Sequence, residues 1–226
     1  MAQAASEILT GELVIETLDP VDAAAFQRLT GSTDAQVADL ARYQQLLAEW
    51  NEVMNLVGPA SMAAYWNRHA WDSAQLLTFA PQAKVWADLG AGAGLPGVVL
   101  AILLKGVPGA KVHLVESMAK RCRFLDAVCR ELDLPVEIHN ARAESLDLKV
   151  QVVTARACAP MPRLLEYSQP YFKRGAVAWF LKGQEVAAEI AEAEKTWKFE
   201  SDVRSSKSDP RGHVVQIKGL NRVRKV

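Results

Sequence analysis

The chain is predicted to fold as an α/β protein: a doubly wound, mostly parallel sheet of about seven strands, ending in an antiparallel hairpin and preceded by a helical extension. Three observations predict it. From residue 84 onward, short apolar runs alternate with segments of helical period, the pattern of parallel strands joined by right-handed crossovers. A glycine-rich stretch, Asp88-Leu89-Gly90-Ala91-Gly92-Ala93-Gly94-Leu95-Pro96-Gly97, hangs between the first of these strands and an apolar helix. Glycines at that density let a ligand press against backbone N–H groups at a helix start. The last two apolar runs, 199–204 and 213–218, adjoin with no helical stretch between them and read as a hairpin at the sheet edge. Together these make the expected sheet Rossmann-like.

The elements follow in order. Residues 1 to about 18 hold no sustained period, although 12–18 suits a short strand or arm. Asp19-Pro20 opens a helix, with Asp19 as N-cap and Pro20 in the first turn. A longer helix begins at 33 or 34, carries Val37, Leu40, Ala41, Leu47, Ala48 and Met54 near helical spacing, and is broken by 55–59. Another covers 61–77. These helices form an N-terminal extension, 1–83, packed on a core of 84–226 as one compact unit. Within the core, strands are expected at 84–88, 111–116, 136–139, 150–155 and 176–182, followed by the final pair. Helices are expected at 96–105, 117–132, 162–169 and 184–195. The clearest is 117–132, with Ser117 as its cap, Leu125, Val128, Cys129 and Leu132 on one face and Lys120, Arg121, Arg123 and Arg130 on the other.

Composition narrows the function classes. With 226 residues, half of them apolar, the chain can bury the core of one domain. Its net charge is zero, so affinity for nucleic acid has to come from local patches. Acids dominate the first forty residues, whereas Arg211, Lys218, Arg222, Arg224 and Lys225 gather at the end. The longest apolar run, 95–104, is too short to span a bilayer, and the N-terminus lacks the basic start and apolar centre of a signal peptide. A cytoplasmic protein with no membrane partner is expected. Cys122, Cys129 and Cys158 contain no C-x-x-C, which argues against a disulfide framework or a zinc knuckle. His69, His113, His139 and His213 share no metal-ligand spacing, so no metal is expected.

Gly92, Gly94 and Gly97 stand at G-x-G-x-x-G spacing, which on its own fits a nicotinamide dinucleotide. Asp88 sets a carboxylate where a pyrophosphate would bring its own negative charge, and like charges repel. S-adenosylmethionine has no phosphate but carries a sulfonium and an ammonium, so an acid there favours it. Glu116, at the end of the next strand, is placed to accept hydrogen bonds from ribose hydroxyls of either cofactor. Gly90, Glu116, Glu144 and Arg156 all follow predicted strands on the carboxyl edge, where doubly wound sheets bind their ligands.

Further motifs stand in order along the chain: Trp50-Asn51-Glu52-Val53-Met54-Asn55-Leu56-Val57, Arg68-His69-Ala70-Trp71-Asp72-Ser73, the loop 88–97 with its Leu95-Pro96-Gly97, Val115-Glu116-Ser117 with Lys120-Arg121 and Phe124-Leu125, Arg142-Ala143-Glu144, Thr154-Ala155-Arg156-Ala157, and Lys182-Gly183. Over about 36–218 this set resembles the RsmG (GidB) family, class I S-adenosylmethionine-dependent methyltransferases that act on guanine N7 of small-subunit (16S) ribosomal RNA. The resemblance implies that Gly90, Leu95, Ala143, Glu144 and Arg156 contact the cofactor and that Glu116 is the ribose acid. Asp88 and Gly92 of the loop complete the expected cofactor set. Two departures are small: Glu116 replaces a more usual Asp, and Cys158 stands where a plain apolar residue is commoner.

The exit of the fourth strand, Thr154-Ala155-Arg156-Ala157-Cys158-Ala159-Pro160, lacks the Asn/Asp-Pro-Pro-aromatic motif of exocyclic amine methylation. Cys158 reads as a small buried residue rather than a nucleophile. Guanine N7 bears no proton and attacks through an in-plane lone pair, so its methylation needs no general base. No proton-transfer residue is assigned, and Arg156 and Lys182 are the candidates for positioning. Arg68, His69, Lys120, Arg121, Arg123, Arg163 and Lys182 are the candidate RNA contacts, with His69 reading equally well as a hydrogen-bonded structural histidine. Trp50, Trp66 and Trp71 read as core. The expected partner is small-subunit ribosomal RNA or its assembling particle, bound by a monomer. A small-molecule methyltransferase, a non-catalytic ribosome-binding module that retains the cofactor pocket, and a nicotinamide dehydrogenase stay open as alternatives.

Overall fold

Capping chemistry sets the first helices. In the computed structural model, which describes residues 21–223, α1 (Ala23–Thr30) starts at Asp22, whose side chain accepts the Ala25 N–H, and stops at Gly31 with φ +68°. The predicted cap pair Asp19-Pro20, the arm at 12–18, and Arg224 and Lys225 lie outside the described residues. α2 (Asp34–Met54) opens on a full capping box: Thr33 accepts from the Gln36 N–H and Gln36 accepts from the Thr33 N–H. It ends at Asn55, and Asn51 Oδ1 fastens the break by accepting the Leu56 and Val57 N–H groups at 2.6 and 2.9 Å.

The single helix expected at 61–77 is instead three pieces. α3 (Pro59–Ala63) is followed by a π-helical turn, Trp66–Trp71, and then by α4 (Asp72–Phe79). A π turn inserts an extra residue into the helical register and is enriched at functional sites. Here it spans Arg68 and His69.

The core elements are β1 (Val85–Leu89), α5 (Gly97–Leu104), β2 (Lys111–Glu116), α6 (Ala119–Glu131), β3 (Val136–Asn140), β4 (Val152–Arg156), α7 (Met161–Lys173), β5 (Val177–Lys182), α8 (Val186–Glu194), β6 (Trp197–Ser205) and β7 (His213–Arg222), with a short 3₁₀ turn at Ala143–Ser145. The strands form one seven-stranded sheet in the order β3-β2-β1-β4-β5-β7-β6. The first five strands are parallel and β7 runs antiparallel to both β5 and β6. The chain reverses its direction of winding between β1 and β4, which opens a crevice outside their carboxyl ends. Two expectations are corrected. Ser117 does not cap α6; Met118 is the N-cap residue and its N–H goes to Glu116 Oε1 at 2.7 Å. α7 runs on past Pro170 to Lys173.

Both faces of the sheet are covered. On one, α5 is apolar on every side, and seven of its eight residues are buried. Phe26, Leu40, Tyr43 and Leu47 of the amino-terminal helices share its core with Trp86, Val98 and Leu100. The other face packs Leu165 and Tyr171 of α7 and Val186 of α8 against Val153, Phe180 and Val215. Among the described residues, no helix is long and apolar enough to cross a membrane.

Candidate active site

The glycine-rich loop is drawn tight against two strands. Gly90 and Ala91 both donate to the Val115 carbonyl, at 2.8 and 3.0 Å. Gly90 has φ +70°, and a Cβ there would stand 2.5 Å from Cys158 Sγ, so the backbone itself forms this wall. At the far end of the loop, a Cβ on Gly97 would collide with Leu114 Cδ2 and stand 2.8 Å from Asp88 Oδ2.

Asp88 corrects the charge argument made from sequence. Its side chain is fully buried beneath the loop, where Oδ2 accepts the Gly97 N–H at 2.8 Å. Burial pushes its pKa up to about 7, against the opposing pull of the Gly97 N–H and of Arg156. It pegs the loop to the start of α5 and borders neither cavity, so its charge is not set directly against a ligand there. Leu95 is likewise in the core rather than on a cavity wall.

A cavity of about 220 Å³ opens beside the loop, with Gly90, Glu116, Met118, Ala143, Glu144 and Tyr167 on its walls. Glu116 is buried at the end of β2; its Oε2 accepts the Gly92 N–H at 3.0 Å and lies 3.8 Å from Arg121 Nη1. A carboxylate offers about four acceptor positions, so Glu116 keeps capacity for a ligand hydroxyl while bracing the loop. The Ala143 carbonyl is fixed by the Tyr171 hydroxyl at 3.1 Å, and Glu144 beside it is exposed in the 3₁₀ turn. Cys158 also borders this cavity, and burial pushes its thiol up to about 11, which leaves it unreactive at neutral pH.

A second cavity, of about 670 Å³, lies outside β4, β5 and the start of β7. Arg156 borders this one rather than the first. Its Nη1 donates to the Arg68 carbonyl at 2.7 Å and meets Asp72 Oδ2 at 3.1 Å, while Nη2 stands 3.0 Å from His69 Nδ1. Burial, followed by the Arg156 charge, lowers the His69 pKa to about 4, so the imidazole is neutral at physiological pH. Arg68 pairs with Asp209, and Lys182 Nζ is held 2.5 Å from Glu189 and 3.2 Å from the Ala159 carbonyl. Asp72 Oδ1 accepts the Ser208 hydroxyl and Gln75 binds the Lys207 N–H, so α4 is tied to the loop before β7. The two cavities share one wall residue, Ala157, which has φ +51°.

Of the sequence-predicted RNA contacts, Arg68, His69 and Lys182 therefore come together around Arg156. Arg121 borders the smaller cavity, and Lys120 Nζ donates to the Val53 carbonyl. Arg163 lies over the Tyr167 ring with its guanidinium carbon 5.6 Å from the centroid, and exposed Arg123 borders neither cavity. Asp72, Asp209, Met118 and Tyr167 were not singled out. Asp72 lies within the Arg68–Ser73 motif, which is the one signal that pointed to it.

The family model described as GidB, rRNA small subunit methyltransferase G, matches residues 36–215. A protein of Caulobacter sp. (strain K31), described as Ribosomal RNA small subunit methyltransferase G, is 76% identical over 213 residues, covering 94% of this chain and 96% of its own. One from Methylorubrum populi with the same description is 45% identical over 192 residues, covering 84% and 90%. Among solved structures, a SAM dependent methyltransferase from Aquifex aeolicus aligns with TM-score 0.52 at 14% identity, over 76% of this chain and 97% of that one, a likeness of fold.

Proposed function

This chain belongs to the GidB family, rRNA small subunit methyltransferase G, and from that premise we propose that it transfers a methyl group from S-adenosylmethionine to N7 of a guanine in small-subunit ribosomal RNA. The observation that carries the reading is the meeting of two cavities at Ala157: one walled by a glycine backbone and acids, the other by Arg68, His69, Arg156 and Lys182.

The smaller cavity fits the donor. Its wall at Gly90 has no room for a Cβ, and Glu116 retains acceptor capacity toward ribose hydroxyls. Gly90, Gly92, Glu116, Ala143 and Glu144 bind the cofactor; Asp88 and Leu95 act by holding the loop. When bound, S-adenosylmethionine supplies an electrophilic methyl on a cationic sulfur.

The chain's own residues then supply orientation. Arg156 cannot accept a proton, and its guanidinium is fixed by three groups, so it holds the RNA side of the site in one geometry. Lys182 is similarly anchored. No general base is needed for guanine N7, and alignment alone can supply about 7–11 kcal/mol at best. We place the reaction in the cytoplasm, catalysed by a monomer on naked RNA or an assembling particle. Among the described residues, 21–83 pack on the core as part of one unit.

The test is methyl transfer from labelled S-adenosylmethionine to naked 16S RNA and to small-subunit particles, with the product mapped by mass. 7-Methylguanosine at one position, lost with Gly90→Asp, is the expected result. Transfer confined to small molecules, or tight RNA binding without transfer, overturns it.

A further inference from the structure

The sheet edge at β3 carries a side-chain cluster that sequence spacing conceals. The parallel register of β2 and β3 sets His113 beside Glu137 and Val115 beside His139. Residues two apart on a strand share a face, and so do neighbours in register. His113, Glu137 and His139 therefore converge on one side of the sheet, although 24 and 26 positions separate the first from the other two.

One ligand atom from each lies within 4.8 Å of the other two. His113 Nδ1 is 3.0 Å from His139 Nε2 and 3.7 Å from Glu137 Oε2, and His139 Nε2 is 3.6 Å from Glu137 Oε1. Ligand atoms about 2.0–2.1 Å from a tetrahedral zinc ion stand about 3.4 Å from each other, and the three observed separations bracket that value. His113 is buried, His139 half-buried and Glu137 exposed, so the cluster has a fixed base and one open side.

We propose that His113, Glu137 and His139 form a binding site for one borderline divalent transition cation, of which zinc is the type. Two imidazoles and a carboxylate suit Zn²⁺, Co²⁺ or Ni²⁺ and are poor hosts for Mg²⁺ or Ca²⁺, which take all-oxygen sites. Three protein ligands leave a fourth position for water. Lys111 Nζ, 3.2 Å from Glu137 Oε2, balances the carboxylate in the metal-free protein, and its half-exposed side chain can swing into solvent when a cation arrives.

The cation would bridge β2 to β3. Among the described residues β3 has a partner on one side alone, and Asn140 at its end donates to the Glu116 and Ser117 carbonyls at 3.1 and 3.0 Å. The bridge thus clasps the edge strand that supports the Glu116 segment. The site stands apart from both cavities and does not depend on the methyltransferase reading.

The test uses the full-length chain without an affinity tag, stripped with chelator, and titrated with Zn²⁺ by calorimetry and with Co²⁺ by visible absorption. Expected are one equivalent of Zn²⁺, a tetrahedral-type Co²⁺ spectrum and a Zn²⁺-dependent rise in Tm. Glu137→Gln and His139→Ala change groups at the more open side, and each should weaken binding about tenfold or more and abolish the rise in Tm, with unchanged circular dichroism. Absence of saturable binding to the wild type, or one-equivalent binding that survives both substitutions, overturns the site.

Discussion

Asp88 holds a proton that an unfolded chain would release. Its pKa is about 7 in the fold against 3.8 for the free side chain, with burial as the leading cause. Between those values the folded state binds more protons, so this contribution to stability is complete below the lower value and is lost as pH rises through the upper one. The shift corresponds to about 4 kcal/mol at most. Asp88→Asn keeps an acceptor for Gly97 and does not titrate; its stability relative to wild type should increase as pH is raised from 4 to 7, read from urea midpoints. A constant difference across that range would reject the assignment. His69 works in the opposite sense: its folded pKa, about 4, lies below the ordinary 6.5, so its contribution is present above 6.5 and is lost as pH falls through about 4. His69→Gln should therefore gain on wild type as pH is lowered, and the two effects partly cancel in the native chain. Arg156 divides the expectation carried by family resemblance from the observed geometry. Because it borders the larger cavity, Arg156→Lys should lower kcat/KM for RNA about tenfold or more, the loss expected when charged hydrogen bonds go, while the dissociation constant of S-adenosylmethionine stays unchanged by calorimetry. A weakened cofactor with normal RNA turnover would return Arg156 to the donor site.

Element boundaries were legible where their causes are local. The start of α2 was expected at 33 or 34, and Thr33 and Gln36 close a capping box there with bonds of 3.2 and 2.9 Å. Thr33→Ala should cost about 1 kcal/mol, a fall in Tm of about 2–4 °C for a chain of this size, measurable by calorimetry; no change would mean that packing on α5 alone fixes the start of α2. The parallel strands and the glycine loop were readable for the same reason, since alternation and glycine density are properties of adjacent residues. The π turn at Trp66–Trp71 was not. Its register is held by partners distant in sequence, among them Arg156 on the Arg68 carbonyl, and by the Ser73 hydroxyl on the His69 carbonyl at 2.7 Å. The helix expected at 162–169 runs on through Pro170, and Tyr171 beyond it is buried and reaches the Ala143 carbonyl. Spacing places Asp88 beside the glycines, whereas only the fold shows that its carboxyl is buried and takes the Gly97 N–H. The His113–His139 pairing is of the same kind, a product of strand register between separate segments.

At the scale of the whole molecule, the amino-terminal helices and the sheet depend on each other for both packing and site. α5 buries seven of its eight residues, and part of that burial comes from Leu40, Tyr43 and Leu47 of α2 and from Leu76 of α4. Each such side chain is worth about 1.5–3 kcal/mol when fully buried, so a core lacking them would expose an apolar helix to water and lose stability comparable with that of a whole domain. The site is divided in the same way. Tyr43 donates its hydroxyl to the Ala93 carbonyl of the glycine loop, and Arg68, His69 and Asp72 surround Arg156. Residues 84–226 expressed alone should therefore lack a cooperative thermal transition, bind a dye that reports exposed apolar surface, and show no heat of S-adenosylmethionine binding. The longer piece 21–226, which keeps α1 to α4, should regain the cooperative transition and the heat of cofactor binding. If 84–226 instead melted cooperatively and bound the cofactor, the helices would be a separable RNA-binding module, and Arg156 would have to work without the Arg68 carbonyl and Asp72 that fix it here.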